Sequence, residues 1–428
     1  MYWLYSCFLF FFRIILGFLS IFDSKINRGI SGRRNLFPIV EEHYRSINPL
    51  RKRILIHVSS FGELEQAKPV LASLRREYPT SHLHLTFFSP SGYENCIGIY
   101  DVPDLITYLP FDSNGQVSWF LDLVKPDLVL FVRYDLWHNF VHECHDRNIP
   151  MLLFSATFDL TFSKLLPFVN QLYRRTYSFI NTICTVSERD KSEIEKLAIH
   201  ARELSVAGDT RFDQVLTRKK EAEESATQIL PDELLQKIKS QNLKVLVCGS
   251  IWENEYQIIL PTITKAIAEG EKIFVILVPH EVASEKIGSL RSKVGLPAIL
   301  LSAVQNYRNE SILIVDSIGK LFELYQYASV AYVGGGFGSG VHNVLEPAVW
   351  GVPTIVGPKH ERSQEIAEMI GIGSVLEIGD ADSFAEAFGH WFVTDMARSR
   401  SAAAARQFVD SSEGATAKIM GKIGELKW

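Results

Sequence analysis

At 428 residues the chain is too long for one comfortable hydrophobic core, and two domains are the natural expectation. A net charge of −5 argues against nucleic-acid binding as a class. Five cysteines (Cys7, Cys96, Cys144, Cys184, Cys248) are scattered without a C-x-x-C pair, which fits reduced, mostly buried thiols rather than disulfides or zinc.

The stretch Tyr2 to Phe22 is almost wholly apolar and aromatic, with Arg13 as its one charge. From Lys25 to Arg53 come eight basic residues against two acids, a balance of +6. Apolar-then-basic is the reverse of a cleaved signal peptide and reads as a retained anchor, residues 1–28, with the rest of the chain on the cytoplasmic side. Arg13 would cost a spanning helix about 2.5–3.5 kcal/mol, and a helix lying in the interface avoids that cost. Spanning, lying flat and packing as a buried core helix all stay open at this level.

Next, Arg53–Val58, His82–Phe88, Leu128–Val132, Met151–Phe154, Thr182–Val186 and Leu204–Ala207 read as strands, with an amphipathic helix over Gln66–Tyr78. Residues 216–242 are charge-rich, lack aromatics, and read as a linker with a surface helix. The pattern then restarts at Val245–Cys248, Ile273–Val278, Ser311–Val315, Val330–Val333 and Thr354–Val356. Continuous apolar runs separated by helices predict α/β architecture with parallel sheets covered on both faces. The expected domains are 29–215 and 243–400, followed by a helical tail over 401–428. Ligands of such sheets sit beyond the carboxyl ends of the strands, so two facing halves would hold a site in a cleft.

Polar and glycine residues recur at the strand exits: Ser59 to Glu63, Arg133 to Trp137, Gly249-Ser250, Pro279-His280, Asp316 to Lys320. The densest exit follows Val330–Val333, where five of the seven residues Gly334 to Gly340 are glycine. His342, Asn343 and Glu346 follow on a predicted helix over Val344–Trp350. Glycines let backbone approach an anion, and helix N-termini favour negative charge, although a tight turn is the plainer explanation. No Lys-Ser/Thr follows, so this is not a Walker loop.

Individual residues carry two readings each. Glu63 is either a helix-end charge or a general base. Arg211 is either an exposed ion pair or a cation offsetting charge on a leaving phosphate. Glu346 could reach a ribose, or simply be a first-turn acid; His280 could contact a phosphate or base, or be structural. No spacing suggests a metal site.

Assembled in order, these motifs resemble the Kdo transferases, which attach 3-deoxy-D-manno-octulosonic acid (Kdo) to the lipid A precursor of lipopolysaccharide. The matching pieces run nearly the full length. They are Ser59 to Glu63 (family S-x-G-E), Gly208 to Asp213 (G-x-x-K-F-D), Val278-Pro279-His280, Asp316 to Gly319, Val333 to Gly335, and His342 to Pro347 (H-N-P-L-E). The resemblance implies a GT-B fold of two Rossmann-like domains, the first taking the lipid acceptor and the second CMP-Kdo, with neither metal nor cofactor. It implies Glu63 as proton acceptor and Arg211 as the charge-stabilising cation. Pro279, His280, Ile318, Gly319, Lys320, Asn343, Val344, Leu345 and Glu346 would hold the CMP part. It also implies an inner-membrane location with the catalytic domains on the cytoplasmic face, and no nucleic-acid partner. One departure stands out: the family has E-T-E-L-W-P-N where this chain has Arg133 to Asn139. A family glutamate becomes Arg133, and Asp135 is the remaining acid and candidate. The rival readings are a GT-B enzyme with another nucleotide-sugar donor, an epimerase of the same fold, and a non-catalytic membrane scaffold.

Overall fold

The protein is described by a computed structural model covering residues 2–158, 167–197, 199, 201–225, 228–361 and 363–428. The chain forms two compact units, the first from Met1–Gln214 with Glu413–Trp428, the second from Val215–Ser412.

The first unit carries seven strands: β1 (Arg53–Val58), β2 (His82–Phe87), β3 (Leu105–Tyr108), β4 (Leu128–Val132), β5 (Met151–Ala156), β6 (Thr182–Thr185) and β7 (Glu203–Val206). They pair in the order β3-β2-β1-β4-β5-β6-β7, every pair parallel. Side-chain alternation divides the core between the sheet faces. Ile54, Ile56 and Val58 of β1 join Leu128, Leu130 and Val132 of β4 on one face, while Leu55, Val129 and Phe131 face the other way. Both faces are covered, which is why these strands read as unbroken apolar runs.

The second unit repeats the plan with β8 (Lys244–Ile251), β9 (Ile273–Pro279), β10 (Ala298–Leu300), β11 (Ile312–Ile314), β12 (Val330–Val333), β13 (Thr354–Val356) and β14 (Val375–Glu377). Its order is β10-β11-β9-β8-β12-β13-β14, again parallel throughout. In each sheet the winding direction reverses beside the first strand: at β1/β4 in one and at β8/β12 in the other. Such switch points open a crevice at the carboxyl edge of the sheet.

Three expectations shift. The tail does not stay together: the helix Asp395–Asp410 remains with the second unit, whereas Ala415–Glu425 packs on the helix Phe61–Glu77 of the first. Asp213 fixes that return by accepting the amides of Gly414 at 2.7 Å and Thr416 at 2.6 Å, which accounts structurally for the last residue of the Gly208 to Asp213 motif. The segment 216–242, expected as a linker with a surface helix, holds parts of two helices, Thr210–Glu224 and Asp232–Ser240, the first starting ahead of residue 216.

The basic run after the N-terminal helix (Tyr2–Leu19) divides. Arg33 and Arg53 are buried and Arg51 is half-buried against Asp104, whereas Arg28, Arg45 and Lys52 pair with acids at the surface and stay exposed, as do Lys25 and Arg34. Among the described residues no helix is long and apolar enough to cross a membrane. The N-terminal helix nevertheless shows an outer apolar face, with Phe10, Phe11, Ile14, Ile15 and Phe18 all more than half exposed.

Candidate active site

At the first switch point, β1 and β4 end side by side. The helix Phe61–Glu77 starts ahead of the expected Gln66, with Ser60 as its N-cap. Glu63 lies in its first turn and is 2 % exposed. Its Oε2 accepts the Ser59 N–H, its Oε1 accepts the Ser59 hydroxyl at 2.8 Å, and its own N–H points to the Ser60 hydroxyl at 3.5 Å. This is a near-reciprocal cap of the helix end. Burial raises the Glu63 pKa above its ordinary value, opposed by the Ser59 hydrogen bonds and assisted by the negative charge of Asp135.

Asp135 sits on the loop after β4. Its Oδ2 accepts from His57 Nε2 at 3.0 Å and from Trp137 Nε1 at 3.3 Å. His57 is fully buried in β1, and its Nδ1 meets the Thr86 hydroxyl at 3.0 Å, so the strand core itself orients the carboxylate. Arg133, the departure from the family pattern, takes a left-handed backbone at φ 69°, and its Nε is buried without a hydrogen-bond partner. Such a backbone is strained for a residue with a side chain, and strain of this kind concentrates at functional sites.

Arg211 is drawn to Asp209: its backbone N–H and Nε donate at 2.9 and 2.8 Å. Burial opposes ionisation of Asp209, but the Arg211 charge and these bonds hold its carboxyl below the usual range. Gln66, three residues after Glu63, also donates to Asp209 at 3.2 Å, so Arg211 and Glu63 share one supporting helix.

At the second switch point three rings stack. Trp252 lies 4.0 Å from His280, and His280 lies 4.8 Å from His342, all within 20° of parallel. Trp252 Nε1 donates to His342 Nε2 at 3.1 Å, which requires a neutral imidazole. Burial, with the neighbouring His280 adding, pushes His342 down to about 4 and keeps it neutral. Pro279 closes β9 and His280 begins the exposed turn, its amide donating to Ile251 at 2.9 Å.

Much of the glycine loop is a tight turn that bonds within the protein, the plainer of the two readings of it. The amides of Gly334, Gly335, Gly338, Gly340, Val341 and His342 all donate within the protein. A side chain at Gly334 would lie 2.4 Å from the Ser250 carbonyl, and one at Gly335 (φ 96°) 2.3 Å from that of Gly340. The glycines therefore allow backbone to pack against backbone. Glu255 ties the loop down: fully buried, it accepts from Gly335 N–H at 2.9 Å, Tyr332 hydroxyl at 3.0 Å and Trp252 N–H at 2.8 Å.

The expected CMP-holding residues divide. Ile318 is 84 % exposed, Gly319 is left-handed at φ 80°, and Lys320 opens the short helix Leu321–Leu324. Asn343 Oδ1 accepts the Leu345 N–H at 3.1 Å. Val344 and Leu345 are core residues, so only their backbone is available to a ligand. The helix is shorter than expected, Leu345–Val349, and its Glu346 accepts from Arg218 at 2.9 Å while Arg218 lies over the Phe322 ring. His57, Trp252, Glu255 and Arg218 were not singled out from sequence. Only His57 and Trp252 left a trace there, as a polar residue inside an apolar strand and an aromatic at a strand exit.

With this geometry in place, the chain can be set against known proteins. A family model described as 3-Deoxy-D-manno-octulosonic-acid transferase (kdotransferase) matches residues 34–214. The 3-deoxy-D-manno-octulosonic acid transferase of Haemophilus influenzae is 26 % identical over 95 % of this chain and 93 % of its own. The chain is thus similar to Kdo transferases over nearly its whole length. The transferase of that name from Aquifex aeolicus is 27 % identical over 76 % of this chain and 81 % of its own. Among solved structures, UDP-GlcNAc 2-epimerase from Neisseria meningitidis superposes with a TM-score of 0.62 at 15 % identity, covering 87 % of this chain and all of that one. That likeness speaks to the fold alone, and the fold is of the GT-B type.

Proposed function

We propose that this Kdo-transferase relative moves Kdo from CMP-Kdo onto the lipid A precursor (lipid IVA) in lipopolysaccharide core biosynthesis, working at the cytoplasmic face of the inner membrane. The observation that carries the reading is that the motif residues follow the carboxyl ends of the parallel strands in each sheet, in a chain alignable with a Kdo transferase over nearly its whole length.

In this mechanism Glu63 takes the proton of a glucosamine hydroxyl. The Ser59 hydroxyl on Oε1 is the bond it exchanges for the incoming hydroxyl, while the Ser59 amide keeps the carboxylate aimed. The alkoxide oxygen bonds to the anomeric carbon of Kdo as the bond from that carbon to the CMP phosphate breaks. Arg211 offsets the charge gathering on the departing phosphate. Burial, with the Asp135 charge adding to it, raises the proton affinity of Glu63 in favour of general-base work. The second unit takes the donor. The Trp252–His280–His342 stack offers a flat face to the cytosine, and Lys320 and the Asn343 turn lie toward the phosphate and sugar.

The test is incubation with lipid A precursor and CMP-Kdo generated in situ, with products read by mass spectrometry. The expected result is a Kdo-bearing lipid, with CMP but not UDP raising the melting temperature. A protein stabilised by UDP alone, and silent with CMP-Kdo, would overturn the proposal.

A further inference from the structure

Beneath the N-terminal helix lies a pocket of about 250 Å³, larger than the roughly 150 Å³ apolar cavity that accommodates benzene. Leu9 and Leu16 from the helix face Phe88, Phe111 and Trp137 from the sheet side, and Arg13 stands at its edge. The buried polar group on its wall is already satisfied: Asp112 accepts the Tyr5 hydroxyl at 2.8 Å and the amides of Asn139 and Phe140 at 2.9 and 2.8 Å. Ser6, Arg13, Ser113 and Asn114 add polar groups to the lining, while its leucines and aromatic rings supply apolar contact for an aliphatic guest.

The aromatic wall is fixed in advance. Arg33 donates to the carbonyls of Phe88, Leu109 and Gly29, each at 2.8 Å, and its guanidinium lies 4.8 Å from both the Phe88 and Phe111 rings. Phe88 in turn stacks on Trp137 at 4.6 Å. The pocket is continuous with the outer apolar face of the helix, because Phe10 lines it while remaining 64 % exposed. It is also continuous with the chemistry: Trp137, one of its walls, donates to Asp135, whose charge acts on Glu63.

We propose that this pocket receives one fatty-acyl chain of the lipid acceptor, steering the sugar headgroup toward Glu63. The inference rests on the acceptor being a lipid, as proposed above, and adds where the chain goes. An aliphatic tail would pass from the bilayer along Phe10 into the pocket, so that acyl burial and headgroup placement become one event.

The experiment uses the full chain with an acceptor whose acyl chain ends in a photoactivatable diazirine, followed by peptide mapping, alongside the acylated-to-deacylated ratio of kcat/KM. Labelling should fall on the peptides holding Leu9 to Leu16 and Phe111, and Leu16→Trp, which fills the pocket, should lower both the labelling and that ratio by about tenfold or more. Since the ratio compares two acceptors on one protein preparation, a partly misfolded variant lowers both terms and leaves it unchanged. Labelling that misses the Phe111 peptide, or a ratio unmoved by both Leu16→Trp and Leu9→Trp, would overturn the pocket assignment. Pocket labelling by a wild-type protein that transfers no Kdo would sustain this inference and sink the proposed reaction instead.

Discussion

At the scale of single residues, Glu63 is the most exposed to test. Glu63→Ala should reduce transfer by about 10²–10⁴-fold, the usual worth of a positioned general base, while thermal protection by CMP persists. A variant keeping most of its turnover would return Glu63 to the helix-capping role its Ser59 contacts describe. The pH profile adds a second handle. A base must be ionised, so kcat/KM should fall as pH drops through a Glu63 pKa held above the ordinary carboxylate range. Burial is the first cause of that elevation and Asp135 contributes to it, so Asp135→Asn should move the acid limb to lower pH. Glu255 makes a different prediction. Glu255→Ala strands the Gly335 amide and the Tyr332 hydroxyl, at about 1–3 kcal/mol for each unpaired buried group, and calorimetry should register the loss. The candidate acids were legible in the sequence because Glu63 and Asp135 directly follow apolar strands. Glu255 was not, because nothing local distinguishes it from Glu253, and only the fold brings Tyr332 and Gly335 to its carboxylate.

Among the elements, β2 carries an unusual load. His82 and His84 are fully buried in it, and with Tyr44 and His43 they form a bonded cluster in which His43 and His82 meet at 2.9 Å and Tyr44 reaches His84 at 3.1 Å. Burial pushes His82 down to about 4 and His84 well below its ordinary value, in both cases against or alongside the neighbouring charges. An unfolded histidine takes up its proton near pH 6.5, so between about 6.5 and 4 the unfolded chain binds more protons than the folded one. The stabilisation from this cluster is therefore complete above pH 6.5 and drains away as pH falls. Asp112, pushed up to about 7 by burial, works in the opposite sense over its own window. Urea midpoints should drop between pH 7 and 5 for wild type and drop less for His82→Gln; parallel curves for the two would show that the cluster is not the source. Central strands such as β1, β4 and β12 were readable from their apolar runs. The short edge and near-edge strands β3, β10 and β14 were not, because three or four partly exposed residues leave no period to detect.

For the molecule as a whole, the α/β class and the tandem plan followed from alternating apolar runs and helical segments. Of the eight basic residues between Lys25 and Arg53, Arg33 and Arg53 are buried and Arg28, Arg45, Arg51 and Lys52 carry acid partners, which lowers the net positive charge that they present. Membrane attachment should accordingly depend more on the exposed apolar side of the N-terminal helix than on charge. Replacing Ile14 and Phe18 together by Glu should release the protein from anionic vesicles in sedimentation assays, whereas raising salt should release little; the reverse pattern would restore the electrostatic view. The final helix has a further consequence. Ile419, Met420 and Ile423 complete the same core cluster as Leu64, Ala67 and Leu71, so the first unit's core awaits residues synthesised after the whole second unit. Vectorial synthesis thus cannot finish the first unit before the second exists, and loss of residues 413–428 would damage the first unit rather than the second.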